Sequence, residues 1–280
     1  MLHRFERPQS IAEAARLLAS GPWAVLAGGT DLYPAHVGRR IEAPLLDITA
    51  VAGLRGIRRD ERGWTIGATT TWTDVVRAEL PPLFDALKAA AREVGGMQIQ
   101  NTGTVAGNVC NASPAADGTP VLLALGAAVV LQSERGEREL PIDEFVLGSR
   151  RTARAADELV VAVRVPARSA RARSAFAKLG GRRYLTISIS TVALVIDVDA
   201  GGTIVAAGVA VGSCSAAARR LPSLEAKLVG IAVSDDLGAA LADDDLAPLT
   251  PIDDLRGSAA YRRDATATLV RRALREVAAS

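Results

Sequence analysis

Glycine gathers beside small polar residues at two points where an apolar run ends, and there this chain could hold a charged ligand. The first is Val25-Leu26-Ala27-Gly28-Gly29-Thr30-Asp31-Leu32. Adjacent glycines permit a sharp turn that aims several backbone N–H groups into one concavity, which is how an uncharged loop holds a pyrophosphate. A plain strand-to-helix turn capped by Thr30 or Asp31 would use the same residues. The second runs from Asn101 to Asp117 and crowds Thr104, Asn108, Asn111, Ser113 and Asp117 between Gly103, Gly107 and Pro114. A loop so polar needs partners for its hydrogen-bonding groups, and the phosphates, ribose and base of a nucleotide would supply them. Taken singly, each segment matches many ordinary glycine loops.

Little else in the sequence offers chemistry. Two cysteines, Cys110 and Cys214, fall short of a four-thiolate cluster or a disulfide framework, and His3 and His36 leave few ligands for a transition metal. A chain without a metal of its own is therefore expected. The 33 basic and 31 acidic residues leave a net charge of +2. The basic residues are scattered in pairs, Arg150-Arg151 among them, where a nucleic-acid reader would concentrate them. The most apolar stretch, 186–211, is interrupted by Asp197, Asp199 and Gly201-Gly202, so no run reaches the roughly 18 residues of a membrane span. The N-terminal residues are too charged for a secretory signal, and the expected location is the cytoplasm.

The elements that must position the two segments can be read from periodicity. With 280 residues, 49% of them hydrophobic, the chain can bury about two domain cores. Ser10-Ile11-Ala12-Glu13 has capping-box spacing and predicts a helix near 10–20, followed by short strands at Trp23–Ala27 and Leu45–Ile48. Residues 53–170 read as a second, mixed subdomain. It holds a hairpin around Asp60–Gly63, a helix over Leu83–Val94, a glycine-rich segment at 95–108 and a short apolar helix from Thr119-Pro120. Strands at Ala127–Gln132 and Leu159–Val165 complete it. The linker Ala167–Arg173 has no hydrophobic periodicity and marks the boundary near 170. Beyond it, strands at Ser174–Leu179, Ser190–Val198 and Thr203–Val211 predict a three-stranded antiparallel sheet, with helices near 224–228, 234–241 and 258–277 completing an α+β domain over 171–280.

Together, in this order and about seventy-five residues apart, AGGTDL and NTGTVAGNVCNASPAADGTPVLLALGA closely resemble the FAD-binding medium subunits of the molybdenum hydroxylases. That group includes xanthine dehydrogenase, carbon monoxide dehydrogenase and 4-hydroxybenzoyl-CoA reductase. The resemblance covers the whole chain, including the IAEAARLLA helix and the late FAKLGGRR stretch. It implies an α+β fold: a PCMH-type (vanillyl-alcohol-oxidase-like) FAD-binding domain of two subdomains, about 1–52 and 53–170, then a flavoprotein C-terminal domain. It places the FAD diphosphate at Leu26, Ala27, Gly28, Gly29, Thr30, Asp31 and Leu32 and at Thr104, Val105, Ala106, Gly107 and Asn108. Ser113 and Asp117 match the ASPxxD element, whose carboxylate is expected at the ribityl or ribose hydroxyls; a helix N-cap is the competing role for Asp117. Lys178 matches a lysine at the flavin's polar edge, set against a solvated strand lysine, and Val160 completes the set.

Two departures from the family pattern stand out: Ala106 replaces a frequent glycine, and Val94 stands where some relatives carry a ring-stacking aromatic. Near the position at which some relatives gate the flavin face lie Tyr184 and Leu185, of which Tyr184 is the candidate, set against an exposed loop tyrosine. The cysteine-bearing insertion of the 4-hydroxybenzoyl-CoA reductase branch is missing, so no extra cluster is expected here.

The function implied is electron transfer. A molybdenum cofactor on a large partner subunit oxidises a substrate, two 2Fe–2S clusters on a small partner relay electrons, and FAD on this chain passes them to NAD, a quinone or another acceptor. The implied assembly is a dimer of heterotrimers with no nucleic acid and no membrane span. A self-sufficient FAD oxidoreductase of the same fold and a non-redox nucleotide-binding scaffold are the alternatives.

Overall fold

A computed structural model describes residues 4–183, 185–233 and 235–279; His3 and Tyr184 lie outside the described residues. The chain opens with β1 (Phe5–Glu6), α1 (Ile11–Ala19), β2 (Ala24–Leu26) and β3 (Leu45–Asp47), whose strands form a parallel sheet in the order β1-β3-β2. Ser10 Oγ accepts from the Glu13 amide at 3.2 Å, while Glu13 reaches back to the Gln9 amide at 2.8 Å. The return bond of the expected capping box thus lands one residue early. Ser10→Ala should cost about 1 kcal/mol, measured as a lower urea midpoint at unchanged slope.

The second subdomain runs β4 (Ile57–Asp60), β5 (Gly63–Gly67), α2 (Trp72–Arg77), α3 (Asp85–Glu93), α4 (Met97–Thr102), α5 (Val105–Asn111), α6 (Gly118–Ala124), β6 (Ala128–Ser133) and β7 (Gly136–Pro141). It continues through α7 (Ile142–Phe145) and the small hairpin β8 (Val146–Gly148) and β9 (Arg151–Thr152) to β10 (Leu159–Pro166). Its antiparallel sheet has the order β4-β5-β10-β6-β7. The central strand β10 is buried on both faces, which explains the apolar run 159–163 ahead of Arg164. Leu159 and Val161 pack toward Ala14, Leu18 and Leu46 of the first subdomain, and Val160 and Val163 toward the helices on the other side. The segment expected as a polar loop is largely helical: Thr104 caps α5, and Val105 and Val109 turn one face of it into the core.

The C-terminal sheet contains β11 (Arg173–Gly180), β12 (Ser188–Val198), β13 (Ile204–Gly212) and β14 (Arg219–Arg220). Three strands are expected from sequence; the fourth, β14, adds two residues beside Ala210 and Val211. One face is covered by α8 (Pro222–Leu228) and α9 (Ala259–Ala279). The other face sends Ala193, Val195 and Ala210 into the same core as α3 and α6, so the two domains share one apolar cluster. Arg168, in the linker, ties them further. It donates to the Ala124 and Leu125 carbonyls at 3.4 and 3.3 Å and pairs with Asp197 at 3.3 Å. Among the described residues no helix is long and apolar enough to cross a membrane.

Candidate functional site

The two glycine segments meet. Where β2 ends, the chain turns through Ala27–Leu32 and lies directly on the junction between α4 and α5. A Cβ at Gly28 would stand 2.0 Å from the Thr102 carbonyl oxygen and 2.9 Å from Gly103 Cα. Gly29 holds φ at +70°, a left-handed value that glycine adopts without penalty. Thr104 Oγ1 accepts from the Gly107 amide at 3.0 Å, and the junction is pinned to the turn before α2 by Trp72 N–H to Gly103 O (3.1 Å) and Val105 N–H to Thr70 O (3.0 Å).

Between these walls lies a cleft of about 750 Å³, within the roughly 300–1,000 Å³ typical of small-molecule sites. It is lined by every residue from Leu26 to Leu32, by Thr104, Ala106, Gly107 and Asn108, and by Val160. The backbone amides of Gly28, Gly29, Thr30, Asp31 and Leu32 donate to no group among the described residues, nor do those of Thr104 and Ala106. Asn108 Oδ1 is buried without a hydrogen-bond partner. Unsatisfied donors on residues that line one cavity are what a polar, anionic ligand would complete.

Other expected site residues fall elsewhere. Val105 is a core side chain. Ser113 Oγ accepts from the Ala115 amide at 3.3 Å and does not line the cleft. Asp117 precedes α6 yet makes no side-chain cap. Its Oδ2 instead receives Lys178 Nζ at 2.7 Å and its Oδ1 the Ser188 hydroxyl at 2.6 Å, with both charged side chains only 8% exposed. Burial pushes the Asp117 carboxyl up, and Lys178 and Ser188 counter that effect. The pair lies off this cleft: Lys178 lines a separate pocket with Glu93 and Phe176, and it is the residue after Asp117, Gly118, whose added Cβ would meet the Trp72 ring at 2.3 Å and Asn108 Oδ1 at 3.2 Å.

The cleft also contains residues that sequence reasoning passed over: Trp23, Trp72, Arg150, Arg154 and Glu158. Arg138 makes a two-pronged hydrogen bond to Glu158 at 2.6 and 2.8 Å and holds that carboxyl below its usual range. Cys110 reaches solvent through the cleft, while the protein around it desolvates the thiol and pushes it up to about 11. The only signal for Arg150 is its membership of a basic pair.

Residues 2–168 match the family model described as the FAD binding domain in molybdopterin dehydrogenase, and 174–277 match the CO dehydrogenase flavoprotein C-terminal domain. The carbon monoxide dehydrogenase medium chain of Hydrogenophaga pseudoflava is 32% identical over 97% of this chain and 96% of its own. This chain belongs to the FAD-binding subunits of the molybdenum hydroxylases. The nicotinate dehydrogenase FAD-subunit of Eubacterium barkeri is 36% identical over 71% of this chain and 70% of its own. Among solved structures, reconstituted CO dehydrogenase from Oligotropha carboxidovorans aligns with a TM-score of 0.91 over 100% of this chain and 98% of that one, at 28% identity.

For a flavin subunit of this family the residues present fit the cofactor. The free amides suit a diphosphate, and the Ala106 methyl, which departs from the family's frequent glycine, is only 3% exposed and joins the core. Val94 lines the cleft without offering a ring to stack on.

Proposed function

We propose that this chain is the electron-transfer subunit of a heterotrimeric molybdenum hydroxylase. It would take electrons from 2Fe–2S clusters on a small partner, fed by a molybdopterin-bearing large partner, and deliver them to NAD, a quinone or another acceptor. The working complex would be a cytoplasmic dimer of heterotrimers. Bound FAD supplies the junction chemistry, accepting electrons singly and releasing them as a pair. The chain's own residues bind and orient it. The amides of Gly28–Leu32, with those of Thr104 and Ala106, receive the diphosphate; Asn108, Leu26 and Val160 supply wall. Asp117 and Lys178 lie off the cleft, and their direct approach to FAD requires their pair to open. The observation that carries this reading is the set of undonated amides converging on one cleft.

The cysteines supply a test that needs no turnover. Cys110 lines the cleft and Cys214 is buried, so maleimide at about pH 8.5, near the ordinary thiol pKa, should label the apo chain once, slowly, and FAD should protect it. Acid precipitation of the holo chain should release FAD into the supernatant, as expected of a cofactor held by backbone amides without a covalent bond. Labelling unaffected by saturating FAD, or flavin that stays with the pellet, would overturn the reading. Substrate-driven bleaching by this chain alone would point instead to a self-sufficient oxidoreductase.

A further inference from the structure

Beside the free amides of the first loop sits a carboxylate, Asp31, and an anionic diphosphate binding there would be repelled by it. The structure supplies a counter-charge from a distant part of the chain. Arg150, in the turn between β8 and β9, pairs with Asp31 at 3.8 Å and hydrogen-bonds Asn111 Oδ1. Asn111 Nδ2 in turn donates to Asp31 Oδ1 at 2.9 Å. All three residues line the cleft.

The backbone is bent into unusual conformations to achieve this. Arg150 is held at φ +58° and Ala112, at the end of α5, at φ +47°, left-handed values that residues with a Cβ seldom adopt. The Arg150 amide donates to the Ala112 carbonyl at 3.0 Å, so the two strained residues are clasped and the guanidinium is aimed across at Asp31. The other cleft charges are committed elsewhere. Glu158 is taken by Arg138, and Arg154 donates to the carbonyls of Ala155 and Glu158. His36 Nδ1 lies 2.8 Å from the Leu32 carbonyl.

We propose that Arg150 is a cofactor-positioning residue: it neutralises Asp31 at the mouth of the amide cradle and so admits the diphosphate of FAD. The inference rests on the reading of the cleft as the FAD site. Arg150 and Asp31 are exposed, at 63% and 53% of their side chains, and exposed ion pairs add little to folding stability. Loss of the arginine should therefore be felt in ligand affinity and not in the fold.

The full-length apo chain would be titrated with FAD by flavin fluorescence as wild type, Arg150→Ala, Arg150→Lys, Asp31→Asn and the Asp31→Asn/Arg150→Ala double variant. Arg150→Ala should weaken FAD about tenfold, the effect of one uncompensated charge at partly screened range, with an apo melting temperature near wild type. Arg150→Lys should restore most of the affinity. The double variant should return close to wild type, because Asp31→Asn removes the charge and leaves an amide oxygen that still accepts from Asn111. Unchanged affinity in Arg150→Ala, or no rescue by Asp31→Asn, would overturn the proposal. A wild-type chain that binds no FAD would instead overturn the cleft reading, before any variant is compared.

Discussion

Lys178→Met should destabilise the protein by about 3–5 kcal/mol at neutral pH, the usual consequence of removing one partner from a buried ion pair. Asp117 would keep its charge in a site only 7% exposed, with the Ser188 hydroxyl as its one remaining strong partner. The loss should also depend on pH, with a definite sign. Burial already raises the Asp117 carboxyl in the folded protein, and without the ammonium nothing cationic opposes that rise. A carboxyl whose folded pKa lies above its unfolded value of about 3.9 is best accommodated when protonated. Its contribution is fully present below the unfolded pKa and is lost as pH climbs through the elevated folded one. The variant should thus be closer to wild type at about pH 5 than at about pH 8 in urea melts, and Asp117→Asn added to Lys178→Met should recover most of the stability. A pH-independent loss, or a loss below about 1 kcal/mol, would mean that water reaches the pair and that it does not brace the two domains.

The polar pair is partly visible in the sequence, as a lone carboxylate ahead of the very apolar GTPVLLALG. What cannot be read there is its partner, 61 residues away on β11, because strand pairing and domain docking bring them together. Local signals carry further. The cap at Ser10, the helix over 83–94 and the hairpin across Asp199–Gly202 all follow from side-chain spacing and turn chemistry, and the structure places each within a residue or two. The segment 105–111 misleads because Gly107, Asn108 and Asn111 are poor helix formers, although Val105 and Val109, four apart, already have the spacing of a helix face. Strands β7 and β14 are invisible for opposite reasons. Residues 136–141 form a charged edge strand whose exposed side chains show little core-facing alternation, and Arg219–Arg220 is too short to have a period. In the sequence Arg150 is one of many scattered arginines; its position opposite Asp31 follows from the β8–β9 hairpin folding over the end of α5.

Gly28→Ala should weaken FAD binding by about a hundredfold, a larger effect than Gly29→Ala, although Gly29 is the residue with positive φ. At Gly28 the obstacle is space. The new methyl would lie 2.0 Å from the Thr102 carbonyl oxygen and 2.7 Å from its carbon, and both are backbone atoms that cannot swing aside. The α4–α5 junction is held to the α2 turn by the Gly103 and Val105 backbone hydrogen bonds. Relief must therefore come from the 27–32 loop lifting away and carrying its free amides out of the cleft. Overpacking of this kind costs about 1–3 kcal/mol, and about 2.7 kcal/mol lost from binding is a hundredfold. At Gly29 the methyl would meet the Tyr33 ring at 2.6 Å, but Tyr33 is 53% exposed and can turn outward, so the cost there is chiefly the left-handed backbone. Isothermal titration of FAD into both apo variants, with circular dichroism to confirm the fold, gives the order directly. If Gly28→Ala binds FAD as the wild type does, or Gly29→Ala is the worse of the two, the two glycine segments do not meet in solution as they do here.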